Sequence, residues 1–128
     1  MAIRVVLVDD VDDLRILFRT AFTRDPRFEV VGEAADGYEA IAQAKATQPD
    51  VIVLDIAMPK MNGLKAIPLL HEASPGSKIL VLSGFDTARV AAKALELTAS
   101  AFIEKGAPAS SVVNLAEEVY NSPNKIER

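Results

Sequence analysis

Val5-Val6-Leu7-Val8-Asp9-Asp10 and Val51-Ile52-Val53-Leu54-Asp55 decide how this sequence folds. Each is an unbroken apolar run, rich in β-branched residues, that closes on carboxylates. A run of this kind without polar alternation is a strand buried on both faces, and parallel sheets are its usual setting. Ile79 to Leu82 and Ala101 to Ile103 have the same apolar character. Phe28-Glu29-Val30-Val31 carries a charge and suits an edge strand.

Helical patterns fill the intervals. Leu14, Leu17, Phe18, Ala21 and Phe22 fall on one helix face, with Asp12 or Asp13 as cap and Asp25-Pro26 as terminator. Ala40, Ile41 and Ala44 form a weaker stripe between Asp36-Gly37 and Gln48-Pro49. Leu64 to Ala73 contains Pro68, which removes a backbone donor and predicts a kink or a late start. Ala88, Ala91, Ala92 and Leu95 predict a fourth helix behind Asp86. Val112, Leu115, Ala116 and Val119 predict a fifth, with Pro108 in its first turn. Five β-α repeats imply right-handed crossovers and an α/β fold: a doubly wound parallel sheet of five strands flanked by five helices. No internal repeat or second domain is visible. Residues 1–121 read as one domain, and 122–128 as a polar tail or the start of a linker.

Composition narrows the function. The chain has 128 residues, half of them hydrophobic and a quarter charged, with mean hydropathy +0.20, so it can fill a core. The formal net charge of −4 argues against a broad nucleic-acid-binding face. There is no cysteine, which excludes disulfides and thiolate chemistry, and the single histidine, His71, cannot build a histidine-rich zinc site. The longest apolar stretches are far too short for a membrane span, and residues 1–10 lack a secretory-signal pattern, so a cytoplasmic location is expected. His71 reads as a solvated helix residue, and Phe18, Phe22 and Phe28 as core.

The polar residues concentrate in one kind of place. Val8 is followed by Asp9-Asp10, Leu54 by Asp55, Leu82 by Ser83 and Ile103 by Glu104-Lys105. In a parallel sheet the C-terminal ends of all strands share one edge, where open α/β folds bind their ligands. Crowded carboxylates repel unless a cation sits among them. An all-oxygen donor set suits a hard ion such as Mg²⁺. Carboxylates, a hydroxyl and an ammonium beside a metal are also what phosphoryl transfer needs, with a carboxylate as a competent acceptor.

These residues resemble a known family, the response-regulator receiver domains of two-component signalling, in a NarL/FixJ-like form. The resemblance covers about residues 2 to 121. It rests on Val-Leu-Val-Asp-Asp (6–10), Val-Leu-Asp-Ile-Ala-Met-Pro-Lys-Met-Asn-Gly (53–63), Val-Leu-Ser-Gly (81–84) and Phe-Ile-Glu-Lys (102–105). It implies a flavodoxin-like sheet in the order 2-1-3-4-5. It also implies that Asp55 accepts a phosphoryl group from a phosphohistidine on a sensor histidine kinase or histidine phosphotransfer protein. Asp10, Asp55 and the Ala57 carbonyl would hold Mg²⁺ or Mn²⁺, and Asp9 would reach it through water. Ser83 would bond a phosphoryl oxygen, Lys105 would pair with the acyl phosphate, and Phe102 would be the aromatic switch. The face built by the fourth predicted helix, the fifth strand and the fifth predicted helix would report the state and offer a homodimer contact. No turnover of an external substrate, no membrane and no direct nucleic-acid contact are expected.

The sequence departs from the family pattern at several positions. Gly106 stands where the family usually has a proline after a cis bond, and a cis bond without proline costs roughly 3 kcal/mol. The Lys105 loop is therefore expected to be trans, looser or altered in aim. Thr98 occupies a turn where glycine is common, and Phe102 lacks a tyrosine hydroxyl. Ala57 and Phe85 cannot orient an attacking water, so slow self-dephosphorylation is expected. Two alternatives follow: a receiver-like binding module independent of phosphorylation, and the receiver part of a DNA-binding transcriptional regulator. An aspartyl-phosphate phosphohydrolase is disfavoured, because Ala57 stands where such enzymes place a second Asp.

Overall fold

The computed structural model describes residues 2–58, 60–84, 93 and 99–122. The chain alternates β1 (Ile3–Val8), α1 (Asp12–Arg24), β2 (Phe28–Ala34), α2 (Gly37–Thr47), β3 (Val51–Asp55), α3 (Gly63–Ala73) and β4 (Lys78–Ser83). It ends on β5 (Ala101–Glu104) and a last helix, α4 (Ala109–Asn121). The five strands form one parallel sheet in the order β2-β1-β3-β4-β5, as expected, with the charged strand β2 at an edge.

The period-two alternation of side chains divides the core in two. Val5, Leu7, Val51, Val53, Leu80 and Leu82 pack with Phe18 and Phe22 of α1 and with Val112, Leu115, Ala116 and Val119 of α4. Val6, Val8, Ile52, Leu54, Ile79 and Val81 pack on the other face with Ala40 and Ala44 of α2 and Ala66, Ile67 and Leu70 of α3. Both faces are covered, so the central strands need no polar alternation. Phe22 and Phe28 meet edge to face, their ring centroids 4.9 Å apart.

Local details depart from expectation. Val11, not Asp12 or Asp13, is the cap residue of α1, and the two aspartates fall in its first turn, where they complement the helix dipole. Leu17 is 50% exposed. It lies about 120° around the helix from the line joining Phe18 and Phe22, too far to reach the sheet. Pro108 is the cap residue of α4 and not a member of its first turn. The start of α3 is not late. Asn62 Oδ1 accepts the Lys65 N–H at 2.9 Å and fixes the first turn, and Pro68 lies on the exposed side. Asn62→Ala is expected to cost about 1 kcal/mol, measured as a lower urea midpoint at unchanged m-value.

Four helices are present among the described residues. Apart from Lys93, which is helical, the fourth predicted helix with its Asp86 cap lies outside them, as do Phe85, Thr98 and the tail beyond Ser122. Among the described residues no helix is long and apolar enough to cross a membrane.

Candidate functional site

Register brings the rim residues together. Val8 pairs with Leu54, Asp55 with Leu82, and Ser83 with Glu104, so Asp9, Asp55, Ser83 and Lys105 leave neighbouring strands at the same level. Carboxylate oxygens of Asp9, Asp10 and Asp55 lie within 4.8 Å of one another. Asp9 and Asp55 are buried, and Asp10 is exposed.

Each buried group is held by its neighbours. The Asp9 N–H continues the sheet to Ala34 O at 3.0 Å, and Asp9 Oδ1 accepts the Val11 N–H at 2.9 Å. Asp55 Oδ1 accepts the Ala57 N–H at 3.1 Å. Lys105 Nζ donates to Asp55 Oδ2 at 2.7 Å and lies 3.6 Å from Asp9 Oδ1. The Lys105 N–H in turn donates to Ser83 O at 2.8 Å, which anchors the loop after β5 to β4.

Gly106 does not misdirect that loop. Among the described residues no peptide bond is cis, so Lys105–Gly106 is trans, and the ammonium still reaches Asp55. Ser83 is buried at the end of β4 beside this contact. Phe102 is partly buried and packs against the core cluster on the α2 and α3 side of the sheet.

The electrostatics of the pocket are uneven. Burial pushes the Asp55 carboxyl up to about 6, with the Asp9 charge adding to the effect, while Lys105 and the Ala57 N–H pull the other way. Burial also works against the Lys105 charge. The bond to Asp55 and the negative fields of Asp55, Asp9 and Asp10 outweigh it, so Lys105 titrates above its ordinary range.

Asp9 Oδ2 is buried and has no hydrogen-bond partner among the described residues. A buried carboxylate oxygen left bare is costly, and a water held by a hard cation among the three carboxylates would satisfy it. The donor set is all oxygen, so these residues fit a divalent ion such as Mg²⁺.

Sequence reasoning missed Arg15. Its Nη1 donates to the Asp9 main-chain carbonyl at 2.7 Å. The available signal was its place on α1, three residues after Asp12, which puts it over the turn that carries the acidic pair.

A sequence model of the response regulator receiver domain matches residues 5–117. The chain is 35% identical over 119 residues to the chemotaxis protein CheY of Thermotoga maritima, covering 93% of this chain and 98% of that protein. It superposes on the signal receiver domain of NarL from Mycobacterium tuberculosis with TM-score 0.88 at 29% identity, covering 94% and 98% of the two chains. The CheX-CheY-BeF3-Mg²⁺ complex from Borrelia burgdorferi gives TM-score 0.84 at 26% identity, covering 93% and 90%. Other relatives are longer, and the chain spans 31% of a protein-glutamate methylesterase/protein-glutamine glutaminase from Pyrococcus abyssi. Receiver domains are signalling modules that bind Mg²⁺ at an acidic pocket, and the pocket here is built at the strand ends where the ladders place it. The chain belongs to the response regulator receiver domain family of two-component signalling.

Proposed function

We propose that this chain is a phosphorylation-dependent switch in which Asp55 accepts a phosphoryl group from a phosphohistidine. One observation carries the reading: Lys105 Nζ stands 2.7 Å from Asp55 Oδ2, inside a cluster that also contains the Asp9 and Asp10 carboxylates. An Asp55 oxygen forms the new bond to phosphorus as the bond from phosphorus to the donor imidazole nitrogen breaks, and that nitrogen leaves with the electron pair. Only the ionised carboxylate attacks, so the burial that raises the Asp55 pKa works against transfer, while Lys105, the Ala57 N–H and a bound divalent cation would favour the ionised form.

Asp10, Asp55 and the Ala57 carbonyl would hold the divalent cation, and Asp9 would reach it through water. Mg²⁺ or Mn²⁺, when bound, offsets charge on the phosphoryl oxygens and the mutual repulsion of the carboxylates. Lys105 then pairs with the acyl phosphate, and the Ser83 hydroxyl donates to a phosphoryl oxygen. Phe102 turns inward as Ser83 moves, and the face containing β5 and α4 reports the change to a partner or to a second copy. The phosphoryl donor is a sensor histidine kinase or a histidine phosphotransfer protein. No external substrate is turned over. The complex of a structural relative with BeF3 and Mg²⁺ supports the reading.

Incubation with a small acyl phosphate and Mg²⁺ is expected to add one phosphoryl group by intact mass, mapped to Asp55. Absence of label, or label at another residue, overturns the proposal. The bound phosphoryl group is expected to be long-lived, since the exposed Ala57 side chain has no polar atom with which to orient water. Ala57→Asn should speed release on the order of tenfold by positioning that water. An unchanged rate would remove Ala57 from the account.

A further inference from the structure

We propose that Arg15 is a positioning residue for the acidic pair, gripping the peptide that joins Asp9 to Asp10. The inference rests on the metal-binding reading above and extends it to a residue with no direct place in the pocket.

Arg15 joins three elements. Nη1 donates to the Asp9 carbonyl at 2.7 Å, at the end of β1. Nη2 donates to Asp12 Oδ1 at 2.7 Å, in the first turn of α1. Nε lies 3.3 Å from Glu33 Oε1, on β2. A planar guanidinium with donors fixed in a fork can hold three such acceptors at once, which a single ammonium cannot do with the same geometry. The Arg15 side chain is 19% exposed, and its bond to the Asp9 carbonyl is partly buried, whereas the Asp12 end of the grip stands in water.

The grip falls on a particular plane. The Asp9 carbonyl belongs to the peptide unit that includes the Asp10 nitrogen and Cα, and that unit is rigid. Asp9 is already tied through its N–H to Ala34 and through Oδ1 to the Val11 N–H. Holding the carbonyl as well stops the peptide from rotating. A turn about the Asp9 Cα–C bond would swing this carbonyl and carry Asp10 with it, and Asp10 is exposed, so the grip on the carbonyl sets where its carboxylate stands relative to Asp9.

A guanidinium beside a cation site also carries a cost, since its charge repels the cation. Asp12 and Glu33 offset it, and Arg19 Nη1 takes the other Glu33 oxygen at 3.1 Å. Position and charge therefore act in opposite directions at Arg15. Loss of charge alone would tighten Mg²⁺ binding, and loss of the grip would weaken it.

That opposition supplies the test. Mg²⁺ is titrated calorimetrically into the full chain and into its Arg15→Gln, Arg15→Lys and Arg19→Gln variants, each checked for folding by circular dichroism. Arg15→Gln is expected to weaken Mg²⁺ binding about tenfold, the usual scale for losing a group that orients a ligand. Arg15→Lys should fall between it and the parent, and Arg19→Gln, which shares Glu33 without touching Asp9, should change affinity less than about twofold. In the metal-free chain, amide exchange at Asp10 and Val11 should quicken in Arg15→Gln. Affinity in Arg15→Gln equal to or tighter than that of the parent overturns the proposal. If that variant does not fold, unchanged affinity in Arg15→Lys overturns it. If the parent itself takes up no Mg²⁺, the metal-binding reading falls and the inference with it, a result distinct from a parent that binds and a variant that matches it.

Discussion

Asp55→Asn is expected to abolish phosphoryl labelling and, at the same time, to make the folded protein more stable above pH 6. The first effect is removal of the acceptor oxygen. The second comes from burial. Asp55 is 1% exposed, and its carboxyl titrates near 6 instead of the ordinary 3.8, mainly because burial penalises the charge. Between about pH 4 and pH 6 the folded chain holds a proton that the unfolded chain has released, so stability falls as pH rises through that window. A shift of about two units is worth about 3 kcal/mol at most. The amide keeps an acceptor for Lys105 but gives up the charge assistance, which returns about 1 kcal/mol or more of the gain. The expected net stabilisation at pH 7.5 is therefore about 1–2 kcal/mol, nearly absent at pH 4. Asp25, held down to about 2 chiefly by its bond to Arg27, loses its stabilising effect as pH falls below 4. It is common to both proteins and cancels in the difference. Urea melts of the two proteins at pH 4 and pH 7.5 measure the effect, and parallel pH profiles would show that burial of the Asp55 charge is not a cost. Added Mg²⁺ should stabilise the parent by binding only its folded form and should have less effect on the variant.

The strand ends were legible because parallel pairing leaves little freedom. Once Val5 to Val8 and Val51 to Leu54 are buried strands of one sheet, Asp9 and Asp55 must leave it at the same edge, and the register of Val8 with Leu54 makes them neighbours. The same constraint explains why Lys105 was found from its place after Ile103. Helix detail was less legible. Leu17 matched the apolar spacing of α1 as well as Leu14 did, and only the position of the sheet relative to Phe18 and Phe22 left it outside. Arg15 was invisible for a different reason. Its partner on β1 is a main-chain carbonyl, which leaves no trace in the residue types, and Glu33 lies across two elements. The Lys105–Gly106 bond shows a third limit. Absence of proline argued for a loop that is trans, looser or altered in aim, and of these the trans bond is found while the aim at Asp55 is kept. The ammonium reaches Asp55 through a trans bond, because the Lys105 N–H is tied to Ser83 and the side chain is long enough to span the gap.

Gly63→Ala is expected to cost about 2 kcal/mol or more in stability and to slow the labelling of Asp55 as well. A Cβ at Gly63 would lie 2.6 Å from the Ile56 Cα and 2.9 Å from its Cγ1. The first of these neighbours is main chain, so no rotamer change relieves the clash. Ile56 itself is not free to retreat. Its N–H donates to Leu82 O at 3.1 Å, its carbonyl accepts the Gly63 N–H at 2.8 Å, and its side chain is buried. The gain in helix propensity from alanine, about 1 kcal/mol, is smaller than the overpacking it causes. Because Ile56 follows Asp55 directly, any shift of its backbone is passed to the carboxylate that meets Lys105 at 2.7 Å. A misplacement of about an ångström at a reacting group can cost up to a hundredfold in rate, so labelling by an acyl phosphate should slow at least severalfold even where the variant is fully folded. Gly76→Ala is the matched control. A Cβ there meets no atom within 4 Å and the backbone is not left-handed, so alanine should be neutral or stabilise by about 0.5 kcal/mol with labelling unchanged. Urea midpoints and labelling rates for the two variants decide the matter. If Gly63→Ala matches Gly76→Ala on both, the segment after Asp55 yields freely, and close packing of α3 against it does not set the geometry of the acceptor.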